Sequence, residues 1–235
     1  MSVELEQFVR RSAALIDAPW WPPLTVRVAE AMATDGAHDW THLGRVLITA
    51  RAIFEADASA LGLRAEDWPA IAAAVLCHDV INLPKDHPER HTASALSGRW
   101  AAAALAELGV GDEAWRGRVA EAIRAHSFSA NVATDDPLAH IVQDADRLES
   151  LGAIGLARTF ATGGALGRPP ASLDDPLGHS RPLDDLMWSA DHLPAKLLTL
   201  AARMKTPSGR ARARQRHAFI EAFQAQLGAE LSGET

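Results

Sequence analysis

Two His-Asp dipeptides, His38-Asp39 and His78-Asp79, are the clearest places in this chain where residue type and spacing suit chemistry. Imidazoles and carboxylates together are ligands for a divalent cation. The second pair is the sharper one. It closes an almost wholly apolar run, Ile71-Ala72-Ala73-Ala74-Val75-Leu76-Cys77, where a charged side chain is costly unless it is paired or bound to metal. Adjacent helical residues point about 100° apart, so His78 and Asp79 meet on one ion only if it lies just beyond the helix end. A cap or an ion pair at a helix C-terminus is the alternative.

The first pair lies in Ala37-His38-Asp39-Trp40-Thr41-His42. Asp39 can serve as N-cap of the helix that follows. His38 and His42 are four apart and can share a face. His42 belongs to the apolar-faced helix, whereas His38 sits at its solvent end, so His42 is the expected ligand. A third piece is Gln143-Asp144-Ala145-Asp146-Arg147-Leu148. Its two carboxylates point to nearly opposite sides of a helix, and one of them at most reaches a given ion. Asp144 shares a face with Leu148 and Leu151, Asp146 with Val142 and Ala153, so the apolar pattern leaves the choice open. Two histidines, two carboxylates and water sites suit Mn²⁺, Fe²⁺, Co²⁺, Ni²⁺ or Zn²⁺. Such an ion polarises a phosphoryl oxygen and lowers the pKa of a bound water.

The elements that must position these residues read as helix after helix. Leu43 to Ala58 places Val46, Leu47, Ala50, Ile53 and Phe54 on one face. Trp68 to Val80 is apolar on all sides, which predicts a buried central helix. Pro84 and Pro88 interrupt the chain. Helices are expected over Thr92 to Leu108, Asp112 to His126, Ile141 to Phe160, Ala190 to Met204 and Arg210 to Leu231. The segment from Gly163 to Pro182, rich in Gly, Pro and Asp, reads as a long loop. No repeat and no shift of composition marks a second domain, so a single domain over 1–235 is expected.

Composition sets the outer limits. The chain has 235 residues, 48% of them hydrophobic and 23% charged, a composition typical of a soluble globular protein with a proper core. It contains no apolar run long enough to span a membrane. Met1 to Arg10 carries acids and no apolar h-region, so no signal peptide is expected. With one cysteine, Cys77, no internal disulfide can form, and a cytoplasmic location is expected. A net charge of -7 argues against nucleic acid as partner. It leaves room for a small anionic substrate, because a metal and a few basic residues reverse the field locally.

Taken in order, His42, His78-Asp79 and a downstream Asp in an all-helical chain resemble the HD superfamily of metal-dependent phosphohydrolases. The resemblance extends to the run from His38 to Val46, to Cys77-His78-Asp79-Val80 with Lys85-Asp86-His87-Pro88-Glu89-Arg90, to His126-Ser127-Phe128-Ser129, to Gln143 through Leu148 and to the region of Met204 and Thr206. Together these are similar to the YedJ/YpgQ-like branch, over roughly residues 30 to 230. The resemblance implies an all-α HD-domain bundle and one divalent ion, Mn²⁺ first, with Co²⁺, Ni²⁺, Fe²⁺, Mg²⁺ or Zn²⁺ as alternatives. The superfamily's last ligand sits in an Ala-Asp-Lys/Arg-Leu context. That context falls on Ala145-Asp146-Arg147-Leu148, which implies His42, His78, Asp79 and Asp146 as ligands and leaves Asp144 as a general-base candidate. The branch further implies cleavage of a nucleoside triphosphate to monophosphate and pyrophosphate by a metal-activated water.

Other residues can serve that chemistry. Lys85 and Arg90 flank the exit of the central helix and can hold phosphates, as can Arg147. His126 ends a helix and can act as acid or base; a C-terminal histidine stabilised by the helix dipole is the plainer alternative. Two-metal proteins of the superfamily, including some di-iron oxygenases, need further histidines between the His-Asp pair and the last Asp. His126 and His140 are available, but His140 precedes Asp146 by six residues, about 240° around a helix, so a single-metal hydrolase is expected. A phosphatase on another small phosphate ester and a non-catalytic nucleotide sensor are the remaining alternatives.

Overall fold

The computed structural model describes residues 2–32, 40–83, 87–127, 130 and 132–234. Among these the regular elements are ten α-helices and short 3-10 turns, the all-α architecture expected. No helix among the described residues is long and apolar enough to cross a membrane. The backbone divides into two compact units, Met1–Asp146 and Arg147–Thr235.

The first unit is built around α4 (Trp68–Cys77). Every residue from Ala70 to Cys77 is at most 1% exposed, so the all-apolar run is a central helix as its composition requires. Around it pack α3 (Trp40–Asp57), α6 (Glu113–His126) and α5 (Ala93–Glu107). Two further helices, α1 (Val3–Ser12) and α2 (Trp21–Met32), complete the shell. Trp68 crosses from the start of α4 to donate its indole N–H to the Leu15 carbonyl at 2.7 Å. Helices α5 and α6 approach closely at Gly98, where an added Cβ would stand 2.6 Å from the Ala120 carbonyl oxygen.

The last helix of this unit, α7, runs Pro137–Leu148. Asp136 caps it, accepting from Leu138 N at 2.9 Å. Arg118 of α6 grips the same carboxylate through Nε at 2.7 Å and Nη2 at 2.9 Å, and Asp67 through Nη1 at 2.6 Å. One guanidinium thus ties the starts of α4 and α7 to the middle of α6. The two hydrogen-bonded carboxylates hold Arg118 above the usual arginine range despite partial burial.

The single helix expected over Ile141 to Phe160 is two. α7 stops at Leu148, and α8 occupies Gly152–Ala165. The break falls at Gly152, whose φ of 71° is the left-handed conformation that glycine adopts without strain. In the second unit α8 contacts α10 (Pro207–Ser232). The helix expected over Ala190 to Met204 is reduced to the four-residue α9 (His192–Ala195) and two 3-10 turns. Pro194 lies within it and provides no N–H for a continuing ladder.

Candidate metal centre

The site is assembled where helices stop. His78 caps the C-terminus of α4. Asp79 lies in the turn that follows, closed by a hydrogen bond from Val80 N to the Cys77 carbonyl at 3.2 Å. Ser97 of α5 holds this turn, accepting from Ile81 N at 3.1 Å and donating to the Ile81 carbonyl at 3.3 Å. Leaving the helical path lets the two adjacent side chains face one spot. His42 projects from the first turns of α3, His126 is the last residue of α6, and Asp146 lies near the end of α7.

These five residues converge. His42 Nε2 lies 3.4 Å from His78 Nε2 and 3.5 Å from Asp146 Oδ1. His78 Nε2 is 3.5 Å from Asp79 Oδ2 and 3.8 Å from Asp146 Oδ1. His126 Nε2 stands 3.4 Å from Asp79 Oδ1. Two groups have ligand atoms close enough for one ion: His42 with His78 and Asp146, and His78 with Asp79 and His126.

Backbone carbonyls decide which imidazole nitrogens are offered. His78 Nδ1 is 2.8 Å from the Val75 carbonyl, and His126 Nδ1 is 2.6 Å from the Ile123 carbonyl. A carbonyl oxygen only accepts, so each Nδ1 carries the hydrogen and Nε2 faces the cluster. This is how a metal-ligating histidine is oriented by the group behind it. Both motifs reach back three residues to a carbonyl of the closing helical turn.

The electrostatics differ between the two histidines. His78 is fully buried, and that burial, opposed by Asp79 and Asp146, holds its pKa below the ordinary value. That direction favours the neutral imidazole, the form that donates to a cation. Burial acts in the same direction on His126, but the hydrogen bond and charge of Asp79 outweigh it and raise that group. Withdrawal from water opposes ionisation of Asp79, yet His78, His126 and His42 overcome it and hold its carboxyl well below the usual carboxylate range. Asp79 nevertheless keeps 51% of its side-chain surface exposed, so the cluster is open on that side. Cys77, immediately before His78, is fully buried and its thiol is pushed far up by burial, which keeps it protonated and unlike a ligand.

Asp144 is completely buried, whereas Asp146 keeps 28% of its side-chain surface. Asp146 is in one of the two ligand groups and Asp144 is in neither. His140 is turned to the Thr134 carbonyl, 2.9 Å from Nε2, and is also in neither group. Arg90 Nη1 donates to the Leu83 carbonyl at 3.1 Å, bracing the chain after the His-Asp turn. Arg147 Nη1 donates to the Arg203 carbonyl at 3.1 Å within the second unit. Lys85, His38 and Asp39 lie outside the described residues. The residue whose part at this site was not read from the sequence is Gln143. It is 2% exposed and donates Nε2 to the Ala125 carbonyl at 2.8 Å, immediately before His126. Its place in the run from Gln143 to Leu148 was visible, but its partner on another helix was not.

Residues 39–151 match the family model described as the HD domain. The chain is 31% identical over 210 residues to the YpgQ protein of Bacillus subtilis (strain 168), covering 87% of this chain and 90% of that one. It is similar to the crystal structure of an HD-superfamily hydrolase from Bacillus thuringiensis, with a TM-score of 0.66, 28% identity and coverage of 98% and 99% of the two chains. It is also similar to the crystal structure of Bacillus subtilis YpgQ in complex with ADP, with a TM-score of 0.63, 30% identity and coverage of 86% and 94%.

Proposed function

Because the chain belongs to the HD domain family, we propose that it is a metal-dependent phosphohydrolase acting on a nucleotide, with His42, His78, Asp79 and Asp146 holding one divalent cation. The observation that carries this reading is the sharing of His78 between the two ligand groups. An imidazole nitrogen has one lone pair to give, and the other nitrogen of His78 is committed to the Val75 carbonyl. The two groups therefore describe one site, not two. The donor set fits the ion: two imidazoles, one of them held neutral by burial, and two carboxylates, one of them strongly acidic. Mn²⁺ leads among ions that accept such mixed N and O ligands.

When bound, the cation supplies a Lewis acid toward a phosphoryl oxygen and toward water. The protein's own residues do the rest. Asp79 and Asp146 would bring negative charge toward the cation. His78 and His42 would supply its imidazole ligands. His126 can hold a proton at Nε2, its one nitrogen not committed to a carbonyl, within reach of groups bound beside Asp79. Asp144 remains the second acid–base candidate, from a fully buried position. In hydrolysis of a triphosphate, water oxygen would bond to the α-phosphorus as its proton passes to His126 Nε2 or Asp144, the bond to the bridging oxygen would break, and pyrophosphate would leave. The ADP held by the Bacillus subtilis relative supports a nucleotide as the phosphate ester.

The test is incubation of Mn²⁺-loaded protein with nucleoside tri-, di- and monophosphates, with pyrophosphate and phosphate detected separately. The expected outcome is monophosphate plus pyrophosphate from triphosphates, with about one Mn²⁺ per chain, as a single open site implies. Release of phosphate alone would move the reading to a phosphatase. Loaded protein that turns over none of the panel would overturn the nucleotide reading, and a reproducible two equivalents of metal would overturn the mononuclear one.

A further inference from the structure

The C-terminal turn of α6 is held more firmly than helix ends need to be. The last carbonyls of a helix lack intrahelical donors. Here three successive carbonyls are taken by three side chains: Ile123 by His126 Nδ1 at 2.6 Å, Arg124 by Ser94 Oγ at 3.1 Å, and Ala125 by Gln143 Nε2 at 2.8 Å. Ser94 belongs to α5 and Gln143 to α7, so the turn is clamped from both flanks. The residue it ends on is His126, whose Nε2 faces Asp79.

Gln143 is an expensive residue for this place. It is 2% exposed, and its Oε1 has no hydrogen-bond partner among the described residues. A buried acceptor left unsatisfied costs stability, whereas an apolar side chain of the same shape costs little there. Packing between α6 and α7 would be served as well by Leu or Met. What an apolar residue cannot supply is the donor to Ala125. The orientation of the amide follows from that contact, because a carbonyl accepts and so must face the NH₂ group. Gln143 also stands three residues before Asp146, on the same side of α7.

We propose that Gln143 is a positioning residue of the metal centre: its hydrogen bond to Ala125 sets His126, and through His126 the Asp79 carboxylate, in register with Asp146. The inference rests on the reading of this cluster as a metal site. It assigns no contact between Gln143 and the ion or the substrate. A positioning residue alters metal affinity through His126, while a purely structural one lowers stability and leaves affinity alone.

The experiment is a double-mutant cycle read as Mn²⁺ affinity by calorimetry, with thermal unfolding of the metal-free proteins recorded alongside. The proteins are wild type, Gln143→Met, His126→Ala and the double variant. Loss of one buried hydrogen bond corresponds to a roughly threefold to tenfold weakening of Mn²⁺ binding by Gln143→Met. In the His126→Ala background the same substitution should change affinity less than about twofold, because its effect is routed through the missing ring. An equal factor in both backgrounds, or a drop in unfolding temperature with unchanged affinity, overturns the positioning role alone. Wild-type protein that takes up no Mn²⁺ overturns the metal reading and this proposal with it. Should His126→Ala fold poorly or lose the metal entirely, histidine ¹⁵N spectra of metal-free Gln143→Met decide. The ring signals of His126 should move while those of His192 in the second unit stay, and an unmoved His126 overturns the proposal.

Discussion

Arg118→Met should separate what holds the first unit together from what binds metal. Arg118 makes three charge-assisted hydrogen bonds, at 2.7 and 2.9 Å to Asp136 and 2.6 Å to Asp67. Such bonds contribute roughly 1.5–3 kcal/mol each when dry. Here the arginine side chain is 35% exposed and its partners 17% and 23%, so solvent screening takes much of that away. Exposed pairs are worth roughly 0–1 kcal/mol, and breaking a buried pair costs about 3–5 kcal/mol; this partly buried network belongs between, at about 2–3 kcal/mol. Urea unfolding followed by tryptophan fluorescence reads the first unit, because six of the seven tryptophans lie before residue 147. With a urea slope of about 2–3 kcal/mol/M the midpoint should fall by roughly 1 M. The pH dependence has a defined sign. Burial opposes ionisation of Asp136, but Arg118 and the Leu138 N–H hold its folded pKa below the ordinary 3.8. Its stabilising contribution is therefore complete above pH 3.8 and is lost as pH falls through the folded value. The gap between wild type and variant should be constant near neutrality and narrow below about pH 4. The network joins the starts of α4 and α7, about 14–15 Å along each helix from the metal cluster. Mn²⁺ affinity of the folded variant should therefore stay within about threefold of wild type. A variant within 0.5 kcal/mol of wild type, or a gap indifferent to acid, would refute the assignment of this anchor; both bounds follow from the surface-pair limit.

Two further outcomes are expected. Asp146→Asn should lower Mn²⁺ affinity by two orders of magnitude or more, roughly the 3–5 kcal/mol that follows loss of a carboxylate from a charged cluster, while Asp144→Asn keeps the metal and loses rate; isothermal titration and turnover on a triphosphate read the two effects, and the reverse pattern would exchange the roles. Asp175 accepts from His179 N, Ser180 N and Ser180 Oγ, and the backbone donors bring its pKa down to about 2. Its carboxyl ¹³C signal should titrate near that value, and the loop from Asp175 to Arg181 should hold its form until pH falls that low; a midpoint near 3.8 would show that the turn is not formed in solution.

The periodic part of this protein is legible in its sequence, and the reason is burial. An all-apolar run such as Ile71 to Cys77 has no polar face to give water, so it becomes the central helix. The Ala- and Leu-rich segments around it carry one apolar face each, and they form the shell. Legibility fails where a single residue or a distant partner decides. The run from Ile141 to Phe160 keeps helical periodicity across Gly152, and nothing in periodicity registers the left-handed φ there that starts a new helix. Residues 190–204 are apolar enough for a helix, but Asp191, 1% exposed, is committed to Arg181 and the Asp184 N–H, so that stretch is shaped by a loop ten residues earlier in the chain.

The site has the same division. Its residue types and order can be read directly, because histidines and carboxylates beside apolar helices have few inexpensive fates. Which of them meet cannot be read from helical faces, because the cluster sits where helices end and the face rule lapses. A helix terminus supplies unsatisfied carbonyls, and in α4 and α6 a terminal histidine turns Nδ1 back onto one of them. That single local bond sets the tautomer, aims Nε2 outward and leaves the next residue free to depart from the helix. Asp79 departs in this way from His78, and the adjacent side chains face the same point. His126 reaches that point from the end of α6 by the same bond, which makes the register between the ends of α4, α6 and α7 the quantity on which the cluster depends. The carbonyl of Ala125, grasped by Gln143, is where that register is set between α6 and α7.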